Sequence, residues 1–171
     1  VPATSDWRDD ALYQSAWCQK GSDKSQNAVP HYEELLAEFP QSLLANASSL
    51  ELAELEYEAK KLNEVIRRLQ GLVVKKPKKD LLTRAQYRLG WAHFDQKNFV
   101  EAAKAYETGA RRYEVIAADA LFQAGLAFQK QANTSEYDQS VAGEAITILE
   151  EFRELYERDS RVPDALDVIA E

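Results

Sequence analysis

A chain that returns to the same residues at a fixed interval is constrained to fold as a stack of like units, and here the interval is 37 residues with no gap. Residues 10 to 40 laid over residues 84 to 114, an offset of 74, match Ala11 to Ala85, Tyr13 to Tyr87, Trp17 to Trp91, Ala28 to Ala102, Tyr32 to Tyr106 and Glu33 to Glu107. Another copy lies halfway between them. There Leu52-Ala53 matches Leu89-Gly90, Val65 matches Ala102, Leu69 matches Tyr106, and Pro77 matches Pro40. A last copy follows after 35 residues, with Asp119, Ala120, Leu121, Phe122, Gly125 and Ala127 repeating the pattern of Ala85, Tyr87, Gly90 and Ala92.

Periodicity inside a copy says what each unit is. Ala85, Leu89, Gly90 and Ala92 fall at helical spacing, and Ala102, Ala103, Tyr106 and Ala110 do so again after a break at Asp95 to Asn98. Each unit is therefore expected to be a helical hairpin. From the small residue of the first helix to the apolar anchor of the second is 12 residues in three copies: Ala16 to Ala28, Ala53 to Val65, Gly90 to Ala102. Small residues there let two helix backbones approach closely. Gly21-Ser22-Asp23 and Asp95 to Asn98 read as turns, Pro40 and Pro77 follow second helices, and Pro30 falls in the first turn of its helix, where no amide is needed. In the last copy Gly125 to Ala145 is 20 residues, so about eight, Asn133 to Ser140, are expected as an inserted loop, with Tyr137 tacked onto the neighbouring surface.

Leu89-Gly90, then Ala102, then Tyr106 resembles the tetratricopeptide repeat, whose signature is W-x2-L-G-x2-Y, A-x3-F and P. Gln86, His93 and Glu114 stand at the signature's Trp, Tyr and Pro places. The run Ala-x-Tyr-x-Leu-Gly-x-Ala followed by His93-Phe94 is more similar to the divergent repeats of bacterial envelope proteins, the Tol-Pal accessory protein and outer-membrane assembly lipoproteins among them. The resemblance implies an all-α, right-handed α-solenoid of about four hairpins plus a terminal helix. Its units are expected at about residues 6–41, 42–79, 80–116 and 117–159, with the terminal helix at 161–171, where Asp164-Ala165-Leu166 repeats Asp119-Ala120-Leu121. All of it forms a single repeat domain, residues 1–171. The chain starts at Val1 with no signal sequence, contains no Met and stops inside an expected helix, so it reads as part of a longer protein.

Composition narrows the function classes. With 45% hydrophobic residues, six Gly and five Pro, the chain is neither disordered nor a membrane protein. A net charge of −8 argues against nucleic acid as the main partner, because phosphate binding needs clustered cations. One local exception exists: Lys75, Lys76, Lys78 and Lys79 surround Pro77, with Arg67 and Arg68 just before. These cations suit either an acidic partner or a helix C-terminus and a soluble turn, and the second reading is preferred. Residues 144 to 171, with nine acids and three bases, read as a solvated terminal face.

Chemistry is sparse. The single Cys18 excludes an internal disulfide, and its register with Leu55, Ala92 and Ala127 places it in the packing seam. His31 and His93 are 62 residues apart and read as structural. Adjacent acids such as Asp9-Asp10, Glu33-Glu34 and Glu150-Glu151 point about 100° apart on a helix and read as surface charge. No catalytic constellation, metal set or cofactor motif is expected, so the chain is not expected to be an enzyme. The triplets Asn46-Ala47-Ser48 and Asn133-Thr134-Ser135 fit a glycosylation pattern of little weight in a bacterial chain.

By resemblance, first helices line the concave face and present an inward stripe to a ligand. Here the stripe is Tyr13, Trp17 and Lys20; Leu50, Glu54 and Tyr57; Tyr87, Trp91 and Phe94; then Phe122, Leu126 and Gln129. Its aromatic members, Tyr13, Trp17, Tyr57, Tyr87, Trp91, Phe94 and Phe122, are the candidate partner-binding residues. Either they form a groove for the apolar anchors of a peptide or helix, or they pack against the next unit, with Trp17 and Trp91 the most exposed. The expected role is a non-catalytic protein-binding scaffold of the bacterial envelope, periplasmic in location by resemblance. The alternative is the docking region of a larger enzyme or signalling protein. Self-association through end units is a third expectation.

Overall fold

The computed structural model describes residues 7–21, 25–110, 114–134 and 139–170. Among them the regular structure is entirely helical: α1 (Arg8–Lys20), a 3-10 turn (Ser25–Ala28), α2 (Val29–Glu38), α3 (Ala45–Glu58), α4 (Leu62–Val74), α5 (Lys79–Asp95), α6 (Phe99–Ala110), α7 (Glu114–Ala132), α8 (Gln139–Leu155) and α9 (Val162–Ala170). Two compact units emerge, Val1–Pro77 and Lys78–Glu171. In the first, α1 packs on the 3-10 turn and α2, α2 on α3, and α3 on α4; in the second, each helix from α5 to α9 packs on the next.

First and second helices bury themselves differently. In α4 the buried Val65, Leu69 and Leu72 follow one another at one-turn spacing, while Glu64, Arg67 and Gln70 face water. That is an amphipathic helix with one covered stripe. By contrast α3 buries Ala45, Ser48, Leu50, Glu51, Leu52, Ala53, Leu55 and Glu56, which fall all round its circumference. It is an interior helix with neighbours on several sides.

Small residues set the hairpin spacing, as the 12-residue interval implies. Ala16 and Ala28 are fully buried with Tyr32, Leu52 and Leu55 in one core, and Ala102, Ala103, Tyr106, Ala120 and Ala124 belong to another. A Cβ added at Gly125 would come within 2.5 Å of Leu149, so Leu149 fills the place that Tyr106 takes in the preceding hairpin. The separation is 24 residues from Gly125 to Leu149 against 16 from Gly90 to Tyr106, which fixes the insertion at eight. Much of it is helical, not loop. α7 runs seven residues past Gly125 where α5 runs five past Gly90, and α8 begins six residues before Ala145 where α6 begins three before Ala102. Asn133 and Thr134 form a turn; Tyr137 lies outside the described residues, as do Ser22, Asp23 and Ser135.

The turns inside the α3–α4 and α5–α6 hairpins close without glycine. Lys60 and Lys97, 37 residues apart, each take a left-handed backbone (φ 59° and 63°) just after the first helix of a hairpin. The amide of Asn98 donates to the carbonyl of His93 (2.9 Å) and that of Lys97 to Phe94 (2.8 Å). Lys61 and Lys60 donate in the same pattern to Glu56 and Tyr57, both at 2.9 Å. This pair of bonds is the Schellman arrangement, in which glycine is the usual occupant of the left-handed place. After α4, Lys76 is also left-handed (φ 49°), but Pro77 has no amide to complete the pair.

Cys18 departs from expectation: it is exposed. Its counterpart Leu55 is buried in the core that the first hairpin contributes, together with Ala16, Ala28 and Tyr32. The position therefore faces the hairpin before it, and no described hairpin precedes α1. At the other end α9 follows the repeat, with Ala165 fully buried in the α7–α8 core as Ala120 is, and Pro163 in the first turn.

Candidate interaction surface

In the N-terminal unit the stripe keeps an open aromatic pair. Tyr13 and Trp17, one turn apart on α1, stack at 6.4 Å with planes 16° apart, and Tyr13 also sets its edge against the buried Tyr32 at 5.9 Å. Trp17 is 52% exposed. Tyr13 holds the indole in place while leaving its outer face in water. Three residues on, Lys20 donates to Glu51 and, at 2.8 Å, to Glu54 of α3. Burial alone would lower the Lys20 pKa; the two carboxylates outweigh it and leave the ammonium above its ordinary value. Glu51 is itself buried and Glu54 half-buried, so this is an ordered charge cluster and not a loose surface pair. Leu50 is fully buried, and Tyr57 is half-buried with the Lys60 ammonium 5.3 Å from its ring centre.

In the C-terminal unit the same stripe is half-buried at Tyr87, Trp91 and Phe94 and interior at Phe122. Tyr87 packs against Trp91 (6.2 Å, 85°) and Tyr106 (5.7 Å, 60°), and its hydroxyl donates to the Asp119 carboxylate. Trp91 is half-buried, and its indole Nε1 is buried with no hydrogen-bond partner. Phe94, half-buried, meets Phe99 edge-on at 5.3 Å. Phe122 is buried, 5.4 Å from Phe152, and the Arg161 guanidinium lies 5.2 Å over its ring. Arg161 also pairs with Asp119 and with Asp159 (2.8 Å), and Arg161 pulls the Asp159 pKa down to about 2. Leu126 is packed against the core of this unit, and Gln129 is half-buried. Of the candidate residues, then, Trp17 offers the most open ring; Tyr13, Tyr57, Tyr87, Trp91 and Phe94 are half-buried, and Phe122 is interior.

A second polar feature recurs inside the hairpins. Gln19 and His31 meet at 3.1 Å, Nε2 to Nε2, and the equivalent residues 37 positions later, Glu56 and Arg68, form a two-pronged pair at 2.7 and 2.8 Å. Both pairs span 12 residues, the interval of the small and apolar anchors. One repeat further on the register gives His93 and Ala105, and a methyl group can accept nothing. His93 is accordingly buried with Nδ1 unpartnered, and burial lowers its pKa. The sequence marks both histidines as structural but does not announce these pairs, although the 12-residue interval would have found them.

Similarity to known proteins agrees with this geometry. The tetratricopeptide-repeat family model matches residues 10–42 and 84–113. The chain has a tetratricopeptide-like repeat fold. Nearly identical TPR-like repeats from a Podosopora anserina protein described as a putative kinesin light chain match with a TM-score of 0.66 and 15% identity, over 97% of this chain and 86% of that one. A point-substituted form of the same repeats matches with a TM-score of 0.67 and 14% identity over the same shares. No curated protein matches the sequence. Tetratricopeptide repeats generally mediate protein–protein interaction, and no helix among the described residues is long and apolar enough to cross a membrane.

Proposed function

We propose that this chain is a non-catalytic interaction scaffold that takes an apolar anchor of a peptide or helix on the first-helix face of its N-terminal unit, centred on Trp17. The observation that carries the reading is the half-open indole of Trp17, stacked on Tyr13 and flanked one turn away by the Lys20–Glu51–Glu54 cluster. A large, rigid, amphipathic ring held at the surface is what binding hot spots are made of, and an ordered charge cluster beside it sets orientation. The test is capture from native lysate with the purified chain and its Trp17→Ala variant side by side. A protein held by the parent and lost by the variant supports the reading; an unchanged set of captured proteins sinks it.

Service in bacterial envelope assembly is part of the same proposal and rests on the Ala85 to Phe94 pattern. Fractionation of cells expressing the tagged full-length gene product tests it, and a wholly cytoplasmic signal would remove it.

A further inference from the structure

A cleft of about 270 Å³ opens within the N-terminal unit, walled by the end of α2, by Ser49 of α3 and by one side of α4. Leu36 and Pro40 form its accessible apolar part above the buried Leu72, Arg67 and Lys75 form its basic rim, and Gly71 lies in the α4 wall. Three features of these residues are unexplained by the fold.

The first is Gly71. A glycine inside a helix lowers helix stability, and it is kept where a neighbour presses too close for a side chain. Gly90 and Gly125 meet that condition, with a Cβ at 2.6 and 2.5 Å from the opposing side chains, but a Cβ at Gly71 would meet nothing within 4 Å. Packing does not ask for glycine here. What its missing side chain does is leave the cleft open.

The second is the pairing of cations. Arg68 is fully engaged by Glu56, at 2.7 and 2.8 Å. Its neighbour Arg67 and Lys75, both exposed on the cleft, have no anionic partner among the described residues. The third is placement. Between residues 67 and 79 stand six Lys or Arg and no acid, in a chain of net charge −8. Cations at a helix C-terminus complement its dipole, but that effect fades beyond the last turn, and Arg67 lies in the first half of α4 (Leu62–Val74). The dipole accounts for Lys75 and not for Arg67.

We infer that this cleft is a binding site for an acidic peptide segment that carries one apolar side chain. The apolar side chain rests on Leu36 and Pro40 beside Gly71, and the flanking carboxylates reach Arg67 and Lys75. An anion there is matched by charge, and the apolar floor distinguishes such a segment from a plain polyanion. The site does not depend on the Trp17 face, and either can exist without the other.

Fluorescence anisotropy with a labelled set of pentapeptides Asp-Glu-Xaa-Asp-Glu, Xaa being Leu, Phe or Ser, tests this on the whole chain. The Leu or Phe peptide is expected to bind about tenfold more tightly than the Ser peptide. Arg67→Glu and Lys75→Glu, both on exposed side chains, should each weaken it by about tenfold or more and flatten its salt dependence. Gly71→Leu is the discriminating variant: it should raise the melting temperature, because the helix gains a better former, and abolish binding, because the cleft is filled. Trp17→Ala should leave peptide affinity unchanged. Equal binding of the Leu and Ser peptides, full binding by Gly71→Leu, loss of binding in Trp17→Ala, or no binding by any peptide of the set would each overturn the inference.

Discussion

Gly90 lies flat against the ring of Tyr106: a Cβ built on it would come within 2.6 Å of both Cδ1 and Cε1. Neither atom belongs to a flexible tail, so the ring or the helix must move. Gly90→Ala is expected to lower stability by about 1–3 kcal/mol through overpacking. The hairpin before it carries Ala53 and Leu69 at the equivalent places, both buried. Gly90→Ala combined with Tyr106→Leu recreates that pair, so the double variant should lose less than the sum of the two single changes. Urea unfolding of all four proteins checks this, and strict additivity would show that the two residues do not oppose each other.

Left-handed lysines make a second expectation. Lys97→Gly should raise stability by about 0.5–1 kcal/mol, since the φ of 63° suits glycine and the Schellman bonds use only backbone. Lys60→Gly should gain less, because Lys60 also covers the ring of Tyr57 at 5.3 Å. A loss of stability in Lys97→Gly would mean that its side chain, and not its backbone, holds the turn.

His93 gives the chain a pH response. Burial lowers its pKa below the ordinary 6.5, with Glu101 pulling the other way, so in the window below 6.5 the unfolded chain binds a proton that the folded chain refuses. Stability is therefore complete above that value and declines as the pH falls through it. The next repeat carries the buried Phe128 at the equivalent place, which makes His93→Phe a conservative test. Thermal melts from about pH 7 to about pH 5 should fall for the parent and stay flatter for the variant. Asp159, near 2, responds only under far more acid conditions and does not confuse the comparison. Parallel curves for the two proteins would clear His93 of the effect.

The two equivalent tryptophans should part company. Trp17 is 52% exposed, whereas Trp91 stands between Tyr87 and Tyr106 with its Nε1 buried. Trp91→Ala is expected to lower stability by about 2–4 kcal/mol, and Trp17→Ala by about 1 kcal/mol or less while removing partner capture. Denaturation beside the capture assay separates them. Equal losses of stability would make Trp17 a packing residue.

The hairpins are legible in the sequence because their determinants are local and periodic: Ala16, Ala53, Gly90 and Gly125 mark first helices, and the count from Gly125 to Leu149 reveals the insertion. That the insertion lengthens α7 and α8 is not legible, since NTSEYDQS is loop-like in composition and helix extension is decided by what the neighbouring turns allow. Register with Leu55 predicts a buried Cys18, but register gives the direction a residue faces and not whether anything lies there. The Lys20–Glu51–Glu54 cluster joins different hairpins across 31 and 34 residues, a spacing fixed by how hairpins stack and carried by no motif. The aromatic stripe reads as uniform in sequence. It divides into an open part at Trp17 and a filled part at Phe122 because Arg161, far along the chain, comes back to cap the latter.

Repeats that share one backbone plan run the risk of pairing with the wrong sibling while they fold. The position that holds Gln19 with His31, Glu56 with Arg68, and His93 opposite Ala105 differs in chemistry from hairpin to hairpin. A first helix closing on a borrowed second helix would bring Glu56 against an imidazole or a methyl, or strand Arg68 beside an amide. The α3–α4 hairpin in this way carries its own key and lock, since a mismatched closure trades the two-pronged ion pair of Glu56 and Arg68 for a weaker contact or none.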